Sequence, residues 1–135
     1  MDTTFLTSAD GTRIAASTVG DGPYTFVLAH GMTGNRGKTG VRLIVGWFQR
    51  FGRVVVFDQR GHGESGGYCT MGFREPQDLD AAVAWAKSLS DAPVVTVGFS
   101  LGASVAIRHA ALSSSRARAT EKDAEIVVQH RPDAT

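Results

Sequence analysis

The sequence predicts an α/β fold built on a mostly parallel sheet, and three observations carry that prediction. Three short runs, Tyr24–His30 (YTFVLAH), Arg53–Asp58 (RVVVFD) and Pro93–Phe99 (PVVTVGF), are continuously apolar rather than alternating. That is the pattern of strands buried on both faces of a parallel sheet. Segments with helical spacing fill the stretches between them, so strand and helix alternate along the chain. The chain is 135 residues long, with 42% hydrophobic and 20% charged residues, which suits one domain with its own core.

Each element has a local reason. Thr4–Thr7 and Thr12–Thr18 flank a Ser-Ala-Asp-Gly turn signal and read as an N-terminal antiparallel hairpin. Gly20-Asp21-Gly22-Pro23 is a turn before the first buried strand. In Lys38–Phe51, Val41, Ile44, Val45, Phe48 and Phe51 recur at helical spacing and predict one apolar face. Pro76–Leu89 opens with Pro in the first turn, where a missing N–H costs nothing. Asp78 and Asp80 sit near its positive end, and Leu79, Val83 and Ala86 form its stripe. Leu101–Leu112 is rich in small apolar residues and predicts a closely packed helix. Parallel strands joined by helices of this length imply right-handed crossovers. The pattern runs to Leu112, and residues 113–135 are polar. Within them Ala119–Gln129 reads as a short helix, with a strand as the alternative. Trp47 and Trp85 are expected to pack within helices, and Cys69 to sit in a loop, partly buried.

Composition narrows the function classes. A net charge of +1 argues for neither a nucleic-acid nor a membrane partner. No apolar run approaches the roughly 20 residues of a membrane-spanning helix. The N-terminus Met1-Asp2-Thr3-Thr4 lacks the basic and apolar regions of a signal peptide. A single cysteine, Cys69, excludes an internal disulfide and a cysteine metal site. Together these lead us to expect a cytoplasmic protein with no metal and no cofactor.

Three motif readings compete. Gly31-Met-Thr-Gly-Asn-Arg-Gly37-Lys38-Thr39 nearly forms a phosphate loop. The spacing G-x-x-x-x-G-K-[ST] needs its first Gly at position 32, which is Met, so different N–H groups would point inward. Gly61-His-Gly63-Glu-Ser-Gly66 satisfies G-x-G-x-x-G, a dinucleotide fingerprint. That reading needs a helix to open at the loop, and no helix signal comes before Pro76. The third pattern, G-x-S-x-G, occurs twice, around Ser65 and around Ser100. With 16 Gly in the chain, the pattern alone is weak, and context decides. Ser65 has no helix after it. Ser100 stands between the strand Val94–Val97 and the helix from Leu101. A nucleophile needs such a junction: the sharp turn lifts the hydroxyl above the sheet, and Gly98 and Gly102 remove side chains that would clash. The helix N-terminus then presents the Leu101 N–H to a developing oxyanion. The competing structural reading is a tight turn with Ser capping a helix.

Taken together, His30-Gly31-Met32, Asp58-Gln59-Arg60-Gly61-His62-Gly63-Glu64-Ser65 and Gly98-Phe99-Ser100-Leu101-Gly102-Ala103, each following a predicted strand, resemble the α/β-hydrolase superfamily. The likeness is to serine-nucleophile members of the esterase, lipase and acyl-peptidase type, and it covers about Phe5 to Leu112. It implies an α/β-hydrolase-type sheet with an N-terminal antiparallel hairpin. It also implies that Ser100 attacks an ester or other acyl carbon of a small-molecule substrate and forms an acyl-enzyme. The backbone N–H groups of Met32 and Leu101 would form the oxyanion hole. His30, with Gly31, Gly98 and Gly102, would support the site, and His62 would shape its loop. Asp58 reads as a buried strand-end residue satisfying the Gly-rich turn.

The sequence departs from the family after Ser100. Only 35 residues follow it, where the family usually has three further strands carrying the acid and the base. His109 lies nine positions along the helix, roughly 13 Å up its axis, and is expected on the helix surface. His130, Asp123, Glu125 and Asp133 read as loop or solvated residues. No triad acid or His is evident. A sixth strand is expected to be missing, or only beginning at Asp133-Ala134-Thr135. The sequence therefore reads as the N-terminal portion of a serine hydrolase, nearly inactive alone, with an open apolar strand edge that favours self-association. The alternative is a non-catalytic module, or a half-hydrolase completed by a partner chain.

Overall fold

The computed structural model describes residues 1–116 and 124–128. Six strands form one sheet in the order β1-β2-β4-β3-β5-β6. β1 (Thr4–Thr7) and β2 (Arg13–Val19) make the predicted hairpin, and β2 pairs antiparallel with β4 (Arg53–Phe57). β3 (Thr25–Ala29) lies between β4 and β5 (Val94–Phe99), parallel to both. Helices α1 (Thr39–Gln49), α2 (Glu75–Leu89) and α3 (Leu101–Arg116) connect the parallel strands.

The continuous apolar runs are explained by helices on both faces. Side chains alternate along a strand, so β3 sends Phe26 and Leu28 one way and Val27 and Ala29 the other. Phe26 and Leu28 meet Val54, Val56, Val95, Val97 and α1's Val45. Val27 and Ala29 meet Ile14, Ala16, Val55, Phe57 and the buried stripes of α2 and α3. Neither face is wet, so neither can be polar.

Three expectations need correction. β6 (Ala124–Val128) is a strand inside the stretch read as a helix, and it pairs parallel with β5 from Val95↔Ala124 to Phe99↔Val128. The sixth strand is therefore formed, well before Asp133–Thr135, which lie outside the described residues. The local mix of Ala and Glu favours helix, but Ile126-Val127-Val128 is β-branched, and β5 offers an unpaired edge that rewards extended backbone. The predicted open edge on β5 is thereby occupied. Second, Phe51 falls beyond α1. It is exposed and lies against Trp47 at 5.2 Å, while Trp47 itself is more than half exposed. Third, His109 is buried rather than on the surface. Its Nε2 lies 3.1 Å from Asp80 Oδ1 of α2, because α2 and α3 pack side by side on one face of the sheet.

Phe57 is fully buried between the sheet and α2. Phe57→Ala is expected to lower the unfolding free energy by about 3–5 kcal/mol in a urea titration. Leu43→Ser, at an α1 position 71% exposed, should change it by less than about 0.5 kcal/mol.

Candidate active site

The parallel strands end in register, Ala29 beside Phe57 and beside Gly98. The three motifs therefore leave the sheet at one edge. The chain passes from β3 to β4 on one side and then to β5 on the other. In open α/β sheets, ligands bind at the carboxyl ends of the strands where the order reverses in this way.

Ser100 sits on the turn between β5 and α3 with φ 55°, a backbone region that costs a non-Gly residue free energy. The turn is possible because two glycines lack side chains. A Cβ on Gly98 would collide with the Gly102 carbonyl, and one on Gly102 with the Ala29 carbonyl of β3. The Ser100 carbonyl accepts from the Ala103 N–H at 2.9 Å and starts α3. Ser100 is exposed at this edge of the sheet. Its hydroxyl and the N–H groups of Met32 and Leu101 have no hydrogen-bond partner among the described residues. The loop after β3 lies against it: a Cβ on Gly31 would stand 3.3 Å from Ser100 Cβ.

The peptide joining Gly31 to Met32 is held by its carbonyl. Gly31 O accepts from the Gly34 N–H at 3.0 Å and lies 2.6 Å from His30 Nδ1. In a trans peptide the carbonyl and N–H point opposite ways, so this anchoring turns the Met32 N–H away from His30. The other ring nitrogen of His30, Nε2, accepts from the Gln59 N–H at 3.0 Å. Nδ1 therefore carries the proton and donates to Gly31 O. His30 is buried, and both its nitrogens are engaged, so it is no proton acceptor for Ser100. Burial pushes its imidazole below the ordinary value of 6.5.

Two buried charge clusters fix the loops, and neither was visible in the sequence. Asp58 Oδ1 accepts from the Arg36 N–H at 2.7 Å, and Oδ2 accepts from the Glu64 N–H at 3.0 Å. The buried Arg36 guanidinium forms an ion pair with Asp58 at 3.1 Å, angled too poorly for a hydrogen bond from Nε, and bonds Glu64 and Ser17. Asp58 thus ties the loop after β3 to the loop after β4. Arg60 makes a two-pronged contact with fully buried Asp78 of α2 and reaches Asp10 in the hairpin turn. Hydrogen bonding to Arg60 holds the Asp10 carboxyl well below the usual range. Asp78 is therefore a buried partner of Arg60 as well as a first-turn acid. Glu75, also fully buried, accepts from the N–H groups of Thr70, Gly72 and Arg74 and from the Thr70 hydroxyl. A helix-start acid looks like a dipole effect in sequence. Nothing local shows that it organises the preceding loop.

The competing motifs resolve in this geometry. Ser65 Oγ donates to the Asp58 carbonyl at 2.5 Å and accepts from the Ala15 N–H at 2.9 Å, so it is a brace inside the loop. Gly61 and Gly66 spend their N–H groups on Gly66 O and Arg13 O. No helix opens there before Glu75, so the fingerprint does not form a phosphate cradle. His62 has its ring nitrogens on Thr33 and Arg60. Cys69 is free and partly buried. Asp123, His130 and Asp133 lie outside the described residues, and the side chain of Glu125 is not described. Among the described residues, no group of three or more His, Cys, Asp or Glu is placed to hold a metal, and no helix is long and apolar enough to cross a membrane.

This sheet order and this strand-turn-helix edge define a class, and the comparisons name it. The sequence profile of the alpha/beta hydrolase family matches residues 26–132. The chain belongs to the α/β-hydrolase family. It is 32% identical to the esterase Pf2001 of Pyrococcus furiosus, with a TM-score of 0.72, over 79% of this chain and 44% of that one. An alpha/beta hydrolase of Sphaerobacter thermophilus is 30% identical, with a TM-score of 0.68, over 81% of this chain and 40% of that one. XC6422 of Xanthomonas campestris, described as an a/b serine hydrolase without lid, shares the fold at 23% identity and a TM-score of 0.73, over 95% of this chain and 70% of that one. The chain spans less than half the length of the first two. No curated protein matches it.

Two measurements check the site's construction. Gly102→Ala should destabilise the chain by at least about 1–3 kcal/mol, since the added methyl meets β3 backbone rather than a side chain that can move. For His30, the folded pKa is depressed, so below 6.5 the unfolded chain takes up a proton that the folded chain refuses. Stability should fall as pH drops from 6.5 toward the folded value and level off beneath it. In NMR the His30 ring should titrate below 6.5; titration at or above that value contradicts the buried neutral ring.

Proposed function

We propose that this chain carries the nucleophile and oxyanion hole of a serine hydrolase acting on an ester or other acyl substrate. The observation that carries the reading is Ser100: an exposed hydroxyl held at φ 55° on a strand-to-helix turn, with no other bond to make. In this reading Ser100 Oγ attacks the acyl carbon and its proton passes to a general base. The carbonyl oxygen becomes an oxyanion, which the N–H groups of Leu101 and Met32 receive. The tetrahedral species collapses, the alcohol leaves with a proton, and the acyl group stays on Ser100 until water releases it. Each oxyanion donor contributes about 100- to 1000-fold in rate.

The base and acid lie beyond the described residues in this reading. His30 and His62 have both ring nitrogens engaged, and His109 faces Asp80. The esterase likeness at 32% identity supports acyl chemistry. It does not choose a substrate.

A fluorophosphonate probe followed by mass spectrometry tests this. Ser100 should be phosphonylated, and Ser100→Ala should not react. With His30, His62 and His109 all engaged elsewhere, the 135-residue chain should hydrolyse p-nitrophenyl acetate little faster than Ser100→Ala. Sustained Ser100-dependent turnover would show that the base lies within the chain. Probe on Ser65 in place of Ser100 would remove Ser100 as the nucleophile.

A further inference from the structure

The hydrogen bonds of His62 place its ring beside the Met32 loop. Its Nε2 lies 3.1 Å from the backbone N of Thr33. A backbone N–H can only donate, so Nε2 is the acceptor and carries no proton. The proton is then on Nδ1, which lies 3.0 Å from the Arg60 carbonyl and donates to it. His62 therefore has the same tautomer as His30, and the two rings lie 5.1 Å apart.

The two imidazoles hold successive peptides. His30 binds the carbonyl of the peptide that carries the Met32 N–H. His62 binds the N–H of the next peptide, between Met32 and Thr33. Only the φ and ψ of Met32 separate these planes. Thr33 has φ 64°, a conformation that a β-branched residue resists and that needs outside support. Met32 is 42% exposed, so packing does little to hold it. His62 is itself anchored: its N–H donates to Gln59 O, its carbonyl accepts from Ser65 N, and Arg60, whose carbonyl it binds, is locked to Asp78.

We propose that His62 is a positioning residue that, opposite His30, clamps Met32 and so sets the direction of the Met32 N–H. It does not touch the reacting atoms. The proposal rests on reading the Met32 N–H as an oxyanion donor. Removing the acceptor on His62 would let the peptide after Met32 turn, and the oxyanion hole would lose the alignment of one donor while Ser100 and Leu101 stayed in place.

The test uses the ¹⁵N-labelled 135-residue chain, with His62→Phe to keep a ring without an acceptor and His62→Gln to keep an acceptor oxygen. In the unsubstituted chain, histidine ¹⁵N spectra should show His62 protonated on Nδ1, with a coupling across the hydrogen bond to the Thr33 N–H. Protonation of His62 on Nε2 instead would overturn the proposal whatever the variants do. In His62→Phe, with an unchanged melting temperature, the Met32 and Thr33 amide signals should move, and fluorophosphonate labelling of Ser100 should slow by about tenfold or more. His62→Gln should restore both toward the unsubstituted chain. Unmoved amides and an unchanged rate in His62→Phe, or His62→Gln as slow as His62→Phe, would refute the clamp. If Ser100 takes no probe even in the unsubstituted chain, the Met32 and Thr33 amides decide the clamp alone.

Discussion

The architecture of the site depends on one close approach. Helix α3 begins directly over the end of β3, where a methyl on Gly102 would overlap the Ala29 carbonyl. Gly98, four residues earlier, lets the strand pass under the first turn of the same helix. With both side chains absent, the backbone can reverse within a single residue, and that residue is Ser100. The positive φ is then imposed by strand and helix together rather than chosen locally. The resulting turn leaves the hydroxyl exposed and the first N–H groups of α3 unspent, as the start of a helix must.

A turn of this kind needs a fixed counterpart, and buried charges supply it. The loops after β3 and β4 have few apolar contacts of their own. Asp58 and Arg36 join them to each other, and Arg60 and Asp78 join the second to α2. Such pairs contribute little net stability, because desolvation offsets their attraction. Breaking one leaves an unpaired buried charge, which is expensive. Their effect is therefore to specify one loop arrangement.

What the sequence revealed, and what it concealed, follows from how local each signal is. The strands were legible because Thr25–Ala29, Arg53–Phe57 and Val94–Phe99 must be apolar on both faces. The Ser100 turn was legible because G-x-S-x-G falls where strand periodicity meets helix periodicity. The pairing of Arg36 with Asp58, or of Arg60 with Asp78 and Asp10, was not, since no local spacing links residues 18 to 50 positions apart. His109 looked exposed because α3 alone gives no sign of α2 beside it. Ala124–Val128 looked helical because its strand character comes from the edge of β5. The second G-x-S-x-G match shows the limit of pattern: Ser65 has glycines at the same two positions as Ser100 but braces the loop between Asp58 and Ala15.

The family and the fold are shared with esterases, yet the chain spans 44% of the Pyrococcus furiosus enzyme. The Ser100 turn and the Met32 loop both emerge from one edge of its sheet. The central claim is that these two features face one another around a single reacting carbon. A crystal structure of the chain phosphonylated at Ser100 tests it most directly. The account predicts the phosphonyl oxygen within hydrogen-bonding distance of both the Leu101 N and the Met32 N. An oxygen bonded to Leu101 alone, with Met32 turned away, would contradict it.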